Sequence, residues 1–212
     1  MKRITRQREL AFLRRYQTDA QVLDVGAGTR VPATYRKVFP NRVCVDIDVA
    51  QQPHIVADVA SLPLEDESYE TILCLEMFEH LKEPQKAADE LYRVLRTGGT
   101  LILTTRFLYP MHNVPGDYLR YTPYMLREIF KKWTIETLEF EAAAFSAMGI
   151  LLQRVGLQTE LRGGKLAKAF VYGLAWAFTK LDWLIRAEYG EIERANKTDG
   201  VFSPGIYMVL RK

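Results

Sequence analysis

The chain has 212 residues, of which 29 are basic and 26 acidic, and its formal net charge is +3. This length predicts a single domain, residues 1–212, with a sizeable core, and the near balance of charge gives no indication of a nucleic-acid partner. The two cysteines, Cys44 and Cys74, fall in predicted core strands, so we expect a reducing, cytoplasmic setting and neither a disulfide nor a metal site.

The N-terminal segment is basic but lacks the apolar run of a secretory signal, so export is not predicted. Residues 5–16 have the spacing of an amphipathic helix, with Leu10, Leu13 and Tyr16 on one stripe. We expect the basic residues of this helix to form a solvated face, the alternative being contact with a ligand or an anionic surface.

The run from Val22 to Val25 predicts a short buried strand that ends in the glycine-spaced turn Gly26-Ala27-Gly28. Two glycines one residue apart allow a sharp turn and let a ligand lie against bare main chain. A dinucleotide fingerprint has another glycine three residues later, where this chain has Val31, so dinucleotide binding is disfavoured. The alternative is a plain strand-to-helix turn without a ligand.

Three further apolar runs end in polar residues and predict the rim of an open α/β sheet: Arg42 to Asp48, Ile55 to Asp58 and Thr71 to Leu75. Asp46 follows the first strand by about 20 residues, the separation at which an acid meets a ribose diol, and Asp48 is the alternative for that role. A short helix from Pro32 to Phe39 is predicted to connect the first two strands.

Downstream, residues 84–95 predict a helix that Gly98-Gly99 ends, followed by a fifth strand from Thr100 to Thr105. The inward positions of this helix are Ala88, Leu91, Val94 and Leu95. Residues 133–140 and 205–210 are predicted as the sixth and last strands.

These motifs closely resemble, in order and spacing, those of class I S-adenosylmethionine-dependent methyltransferases. The segments that carry the likeness are Val22 to Thr29, Val45 to Ile47, Asp58-Val59 with Leu62 to Leu64, Glu76 to Leu81 and Glu90 to Gly99. The resemblance covers roughly residues 20–140. It implies a Rossmann-like seven-stranded α/β sandwich whose last strand runs antiparallel between the fifth and sixth, S-adenosylmethionine as cofactor, and methyl transfer as the reaction.

Carried over residue by residue, the resemblance also implies the parts of a cofactor site. The segment implied to hold the methionine end is Asp24, Gly26, Ala27 and Gly28. The ribose and adenine would be read by Asp46 with Ile47 and by Asp58 with Val59. The segment beneath the sulfonium would be Leu75 and Glu76. Arg30 stands where many members have a further glycine, a departure in the loop after the turn.

The loop from Arg106 to Tyr121 gathers aromatic, acidic, basic and imidazole groups at the carboxyl end of a central strand, where loops carry function. It resembles a bacterial subgroup of these methyltransferases often linked to polysaccharide or lipid-linked sugar biosynthesis, which often has proline in place of Arg106. The residues predicted to bind the acceptor are Tyr109, Asp117, Arg120 and Tyr121. A helix capped by Thr122-Pro123 is predicted to run to about Lys132.

Two histidines are candidate catalytic bases, since a neutral imidazole can accept a hydroxyl proton near neutral pH. His112 is favoured, because its loop overhangs the predicted position of the reactive methyl, with Asp117 orienting it and Arg120 holding an acceptor phosphate or carboxylate. Asp117 and Arg120 pairing with each other to brace the loop is the alternative. His80 is the second candidate base, the alternative being a packed histidine that hydrogen-bonds a neighbouring loop.

The connection from Glu141 to Pro204 is far longer than an ordinary loop, and residues 142–204 are predicted to be a helical insertion. Its second half, residues 165–189, is predicted to be an aromatic-rich helix too short to span a bilayer. Three roles stay open for this helix: cover over the sheet, a homodimer or partner surface, or peripheral membrane contact with its lysines at the headgroups.

The expected function is methyl transfer from S-adenosylmethionine to a small-molecule, sugar or lipid-linked acceptor, at oxygen. We expect the protein in the cytoplasm, with peripheral contact at the inner membrane face as a variant of that setting. The alternative function is that of a methyltransferase-fold interaction protein that has lost catalysis.

Overall fold

The computed structural model describes residues 3–28 and 33–212 and contains a seven-stranded mixed sheet in the order β3-β2-β1-β4-β5-β7-β6. The strands are β1 (Val22–Val25), β2 (Arg42–Asp46), β3 (Ile55–Val56), β4 (Tyr69–Leu75), β5 (Leu95–Arg106), β6 (Thr134–Phe140) and β7 (Gly205–Arg211). Neighbours from β3 to β5 run parallel, and β7 is antiparallel to both β5 and β6. The predicted Rossmann-like α/β fold is therefore confirmed.

Helices cover both faces of this sheet. They are α1 (Ile4–Leu13), α2 (Ala33–Val38), α3 (Pro84–Val94), α4 (Pro123–Ile129), α5 (Ala144–Gln158) and α6 (Gly164–Phe178). Val22 belongs to the buried cluster that includes Phe12 of α1, whereas Leu23 belongs to the cluster that includes Leu91 of α3 and Leu126 of α4. Successive strand residues point to opposite faces, so a strand covered on both sides is apolar at consecutive positions.

The N-terminal helix forms as predicted and ends in one 3-10 turn, residues 14–16. Its basic residues are not all solvated. Arg8 donates to Glu141 O at 2.9 Å and to Ser146 Oγ at 2.7 Å, so this side chain ties α1 to the insertion.

The end predicted for α3 is wrong, because the helix stops at Val94 and β5 begins at Leu95. Gly98 and Gly99 lie within the strand, where its register against β4 shifts. Gly98 has a φ of 79°, and a Cβ on Gly99 would lie 2.9 Å from Glu70 O. The two glycines therefore permit an irregular strand rather than ending a helix.

The N-terminal cap of α4 is confirmed, since Thr122 Oγ1 accepts from Met125 N at 3.2 Å, but α4 ends at Ile129 rather than near Lys132. The start predicted for α2, Pro32, lies outside the described residues. Helix α6 ends at Phe178 instead of Tyr189.

The early end of α6 follows from a contact with the first turn of α5. Asp182 Oδ1 accepts from Ser146 N at 2.9 Å, and Glu188 Oε1 accepts from Ala144 N at 3.0 Å. The acids thus satisfy the free N–H groups at the start of α5, so the chain after α6 turns back instead of continuing as a helix.

Helices α5 and α6 of the insertion pack closely because two glycines of α5 face α6. A Cβ on Gly149 would lie 2.5 Å from Ala175 O, and one on Gly156 would lie 2.5 Å from the Tyr172 ring. Among the described residues, none of the helices has the length and apolar character required to cross a bilayer.

Candidate active site

A cavity of about 650 Å³ opens at the carboxyl ends of β1, β2 and β4, where ligands bind in open α/β sheets. Seven of the ten residues predicted to hold the cofactor line it: Gly26, Gly28, Asp46, Ile47, Asp58, Val59 and Glu76. Its other end is lined by His80 and by the loop after β5, through Asn113 and Tyr118. One cavity thus joins the predicted cofactor residues to one of the two predicted bases.

The glycine turn after β1 packs closely against neighbouring residues. Gly26 has a φ of 72°, and its Cβ would lie 2.2 Å from Met77 Cγ. A Cβ on Gly28 would lie 2.1 Å from Gln51 O. Because no larger residue fits at either position, main chain rather than side chain faces the cavity here.

The acids after β2 and β3 are oriented by the backbone that follows them. Asp46 Oδ1 accepts from Asp48 N at 2.8 Å, and Asp58 Oδ1 accepts from Ala60 N at 2.9 Å. Each hydrogen bond fixes a carboxylate and uses one of its oxygens. The other oxygen of each acid can therefore accept a hydrogen bond from a ligand hydroxyl or amine.

Three predicted cofactor residues do not line the cavity, namely Asp24, Ala27 and Leu75. Asp24 is 3% exposed and pairs with Arg42, its Oδ2 lying 2.6 Å from Nη1. Burial raises the pKa of Asp24 to about 6, against the opposing effect of the Arg42 cation. The Asp24 side chain therefore stabilises the first two strands, and a direct contact with the methionine end does not fit this placement.

Glu76 follows β4 in a left-handed backbone conformation, with a φ of 55°. Its carboxylate forms an ion pair with Arg106, which is 6% exposed and whose Nη1 lies 2.7 Å from Glu141 Oε2. Burial raises the pKa of Glu76 well above its ordinary value, although the Arg106 cation opposes the shift. Sequence reasoning missed Arg106 and Glu141 as site residues; the one available signal was a cation at the end of an apolar strand.

Helix α1 adds a buried acid that sequence reasoning also missed. Glu9 Oε1 accepts from Thr104 Oγ1 at 3.0 Å, and Glu9 Oε2 accepts from the Tyr35 hydroxyl. Thr104 O in turn accepts from Glu76 N at 2.9 Å. The signal in the sequence was an acid one turn before Leu13, on the apolar side of the helix.

The two predicted bases lie together, beside an acid to which the sequence had assigned no role. The His80 and His112 rings meet edge to face, with centroids 5.0 Å apart. Glu79 is fully buried; its Oε2 accepts from Thr105 Oγ1 at 2.9 Å, and its Oε1 lies 3.6 Å from His112 Nε2. His80 donates from Nδ1 to Gly116 O, which is the predicted hydrogen bond to a neighbouring loop. The same side chain also lines the cavity, as a catalytic base would have to.

Asp117 and Arg120 pair with each other through two hydrogen bonds of 2.7 Å. The remaining N–H groups of Arg120 donate to the carbonyls of Tyr109, Pro110 and Leu119. Hydrogen bonding from Arg120, despite some desolvation, lowers the pKa of Asp117 to about 2. The bracing alternative therefore describes this pair, and a bidentate grip of Arg120 on an acceptor does not fit a guanidinium whose donors are all engaged within the loop.

The two tyrosines predicted to bind substrate are placed differently. Tyr121 is 2% exposed and its hydroxyl donates to Phe78 O at 3.0 Å, so this side chain is part of the core and cannot touch an acceptor. Tyr109 is half-buried between the guanidinium groups of Arg106 and Arg154, which lie 4.3 and 4.9 Å from its ring centroid. Tyr109 thus fixes two cations beside the charged cluster.

Part of this sequence is similar to known proteins. Residues 23–103, under half of the chain, match the family model described as a methyltransferase domain. The malonyl-[acyl-carrier protein] O-methyltransferase of Methylococcus capsulatus is 32% identical over an alignment of 102 residues, and the match covers 41% of this chain and 37% of that protein. The chain spans less than half the length of the curated relatives it matches.

Solved structures show the same fold at low sequence identity. The [4+2]-cyclase SpnF has a TM-score of 0.61 and 18% identity, over 98% of this chain and 81% of that one. A Haemonchus contortus phosphoethanolamine N-methyltransferase, solved with phosphomonomethylethanolamine and S-adenosylhomocysteine, has a TM-score of 0.59 and 18% identity, over 98% of this chain and 52% of that one. Residues 23–103 are thus similar to a methyltransferase domain, and the two solved structures share the fold of this chain, one of them with S-adenosylhomocysteine bound.

Proposed function

We propose that this protein transfers a methyl group from S-adenosylmethionine to a hydroxyl oxygen of a sugar or lipid-linked acceptor. The observation that carries the proposal is the single cavity that runs from the glycine turn and Asp46 to His80. Its volume of about 650 Å³ lies in the usual range for small-molecule sites. A nucleotide-sized ligand and the reacting end of an acceptor can therefore meet within it.

The residues present fit the proposed cofactor. Asp46 and Asp58 each offer an oriented carboxylate oxygen, and the glycine turn offers bare main chain. Glu76 Oε1 is buried and has no hydrogen-bond partner among the described residues, which favours a cationic ligand beside it. When bound, the cofactor supplies an electrophilic methyl on a positively charged sulfur.

The protein's own task is then chiefly alignment, because the departing sulfide needs no protonation. We assign the contact with the acceptor hydroxyl to His80 rather than to His112, since His80 lines the cavity. Its Nδ1 donates to Gly116 O, which leaves Nε2 to accept the hydroxyl proton. His112 packs behind it against Glu79.

The test is transfer of a labelled methyl group to a panel of hydroxylated sugars and lipid-linked sugars. Wild type is expected to turn over at least one of them, and His80→Ala is expected to lose turnover by about 10²-fold while it binds the cofactor normally. His54→Gln is the matched control, because His54 Nδ1 accepts from Cys44 N outside this cluster. Cofactor binding without turnover of any acceptor would favour the interaction-protein alternative, and the cyclase cited above shows that this fold is not restricted to methyl transfer.

We further propose that α6 and the turn after it contact an anionic membrane that carries the acceptor. Phe170, Trp176 and Trp183 are 67%, 63% and 78% exposed, which disfavours a role as cover over the sheet. Four cations accompany these aromatic residues: Lys165, Lys168, Lys180 and Arg186. Apolar side chains bordered by cations are typical of an interfacial helix on anionic lipid.

Co-sedimentation with anionic vesicles tests this contact. Wild type is expected in the pellet at low salt, and the double variant Trp176→Ser with Trp183→Ser is expected in the supernatant. Ile192→Ser, which removes an exposed apolar side chain outside α6, is the control. A wild type that stays in the supernatant but sediments as a dimer in solution would contradict the membrane proposal and favour self-association.

A further inference from the structure

Three side chains with metal-binding groups converge beside the cavity: Glu79, His80 and His112. One ligand atom from each lies within 4.8 Å of the other two. His112 Nε2 and Glu79 Oε1 are 3.6 Å apart, which is too long for a normal hydrogen bond. It is close to the separation of about 3.4 Å between two ligands that each lie about 2.1 Å from a tetrahedral ion.

Both imidazoles are oriented for binding through the same nitrogen. His80 donates from Nδ1 to Gly116 O, and His112 Nδ1 lies 3.3 Å from Pro110 O. A proton on Nδ1 leaves the lone pair on Nε2. Donation of the second ring N–H to a backbone carbonyl is the usual arrangement of a metal-bound histidine.

The third ligand is a buried carboxylate with one oxygen unused. Glu79 is fully buried, and its Oε2 accepts from Thr105 Oγ1 at 2.9 Å. Its Oε1 has no hydrogen-bond partner among the described residues. An unsatisfied charged oxygen in the core costs free energy, and a bound cation at this point would remove that cost.

We propose that Glu79, His80 and His112 bind one first-row divalent metal ion, with Zn²⁺ as the best match. Two imidazoles and one carboxylate are the ligand set of catalytic zinc sites and of non-haem iron sites, which keep positions open for water or substrate. Because His80 lines the cavity, an ion held by these three side chains would lie beside the acceptor end of it. Ion binding does not depend on the proposed function.

The chemical role of the ion does rest on the proposed function. An acceptor hydroxyl that binds the ion is polarised and loses its proton more easily. That proton passes to solvent water, the carbon–oxygen bond forms as the carbon–sulfur bond breaks, and the sulfide leaves uncharged. In the metal-bound protein the ion thus takes over the role that the proposed function gives to His80 Nε2 in the metal-free protein: both histidines hold the ion, and neither of them takes the proton.

Metal uptake by the full chain tests the site without cofactor or acceptor. Chelator-treated protein is titrated with Zn²⁺ by calorimetry, and bound metal is counted by mass spectrometry after dialysis. We expect one ion per chain for wild type and for His54→Gln, and a loss of affinity of at least about 100-fold for His80→Ala and for His112→Ala. Circular dichroism checks that each variant is folded.

Absence of uptake by wild type, or equal uptake by all three variants, would overturn the proposal. If the histidine variants unfold, the visible absorption spectrum of Co²⁺ added to the wild-type protein tests the site instead. Four-coordinate Co²⁺ bound by nitrogen and oxygen ligands absorbs much more strongly than the free aqueous ion, so a spectrum like that of the free ion would overturn the proposal. Zinc uptake supports the site even if no acceptor is methylated, and methylation by metal-free protein leaves the proposed function standing if uptake fails.

Discussion

The cavity rim and the loop after β5 both carry charged side chains at strand ends, but they use these charges in opposite ways. In Asp46 and Asp58, one carboxylate oxygen accepts a hydrogen bond from a following backbone N–H, and the other is available to a ligand. Asp117 and Arg120 form hydrogen bonds with each other and with the backbone of their own loop. An acidic residue directly after a parallel strand is thus a better indicator of a ligand site than an acidic and a cationic residue three positions apart, because the latter can form an ion pair with each other.

Removing Arg106 should give the largest effect, because it leaves the buried carboxylate of Glu141 and the partly exposed carboxylate of Glu76 without their cation. Arg106→Met is expected to lower the free energy of unfolding at pH 7 by about 3–5 kcal/mol, as measured by denaturant titration. Arg127→Met, a change at an exposed position, is the control and should lie within about 0.5 kcal/mol of wild type.

The pH dependence of that loss follows from Glu76 and Glu141. Burial raises the pKa of both above the ordinary 4.5, with Arg106 opposing the shift in each. Groups whose folded-state pKa is raised favour the folded state at low pH and lose that contribution as the pH rises. Without Arg106 the pKa of both acids should rise further, so the variant regains more stability than wild type as the pH falls. The difference in free energy of unfolding between Arg106→Met and wild type should therefore shrink from pH 7 toward pH 4.5. A constant difference would mean that Arg106 does not stabilise the charged forms of Glu76 and Glu141.

The rim is tested by Asp46→Ala. Loss of a charged hydrogen-bond partner is expected to weaken S-adenosylmethionine binding by about 1.5–3 kcal/mol, while the melting temperature stays near that of wild type. Asp66→Ala, in which an exposed surface acid is removed, should bind normally. Equal affinity in the two variants would mean that Asp46 does not reach the cofactor.

The loop is tested by Arg120→Met, which is expected to destabilise the protein by about 2 kcal/mol because Asp117 loses its partner. Cofactor affinity should not change, in contrast with Asp46→Ala. If the variant instead melts like wild type and loses only turnover, Arg120 binds the acceptor. The loop after β5 would then be a ligand-binding region like the cavity rim.

Much of the sheet could be predicted from sequence, because apolar runs that end in an acid are local signals. Asp46, Asp58 and the glycine turn were found in this way. The cluster around Arg106 was not, since Glu9, Glu76 and Glu141 come from segments far apart in the chain and meet only in the folded protein. Burial of Tyr121 and the end of α6 at Phe178 also depend on tertiary contacts that no local pattern encodes.

Titration calorimetry on the full chain can show whether the cavity at the strand ends binds S-adenosylmethionine. S-adenosylmethionine and NADH are titrated separately into the same preparation. We predict micromolar binding of S-adenosylmethionine and no measurable heat with NADH, since the sequence after the glycine turn lacks the dinucleotide fingerprint. Binding of NADH without binding of S-adenosylmethionine would mean that the cavity is not an S-adenosylmethionine site.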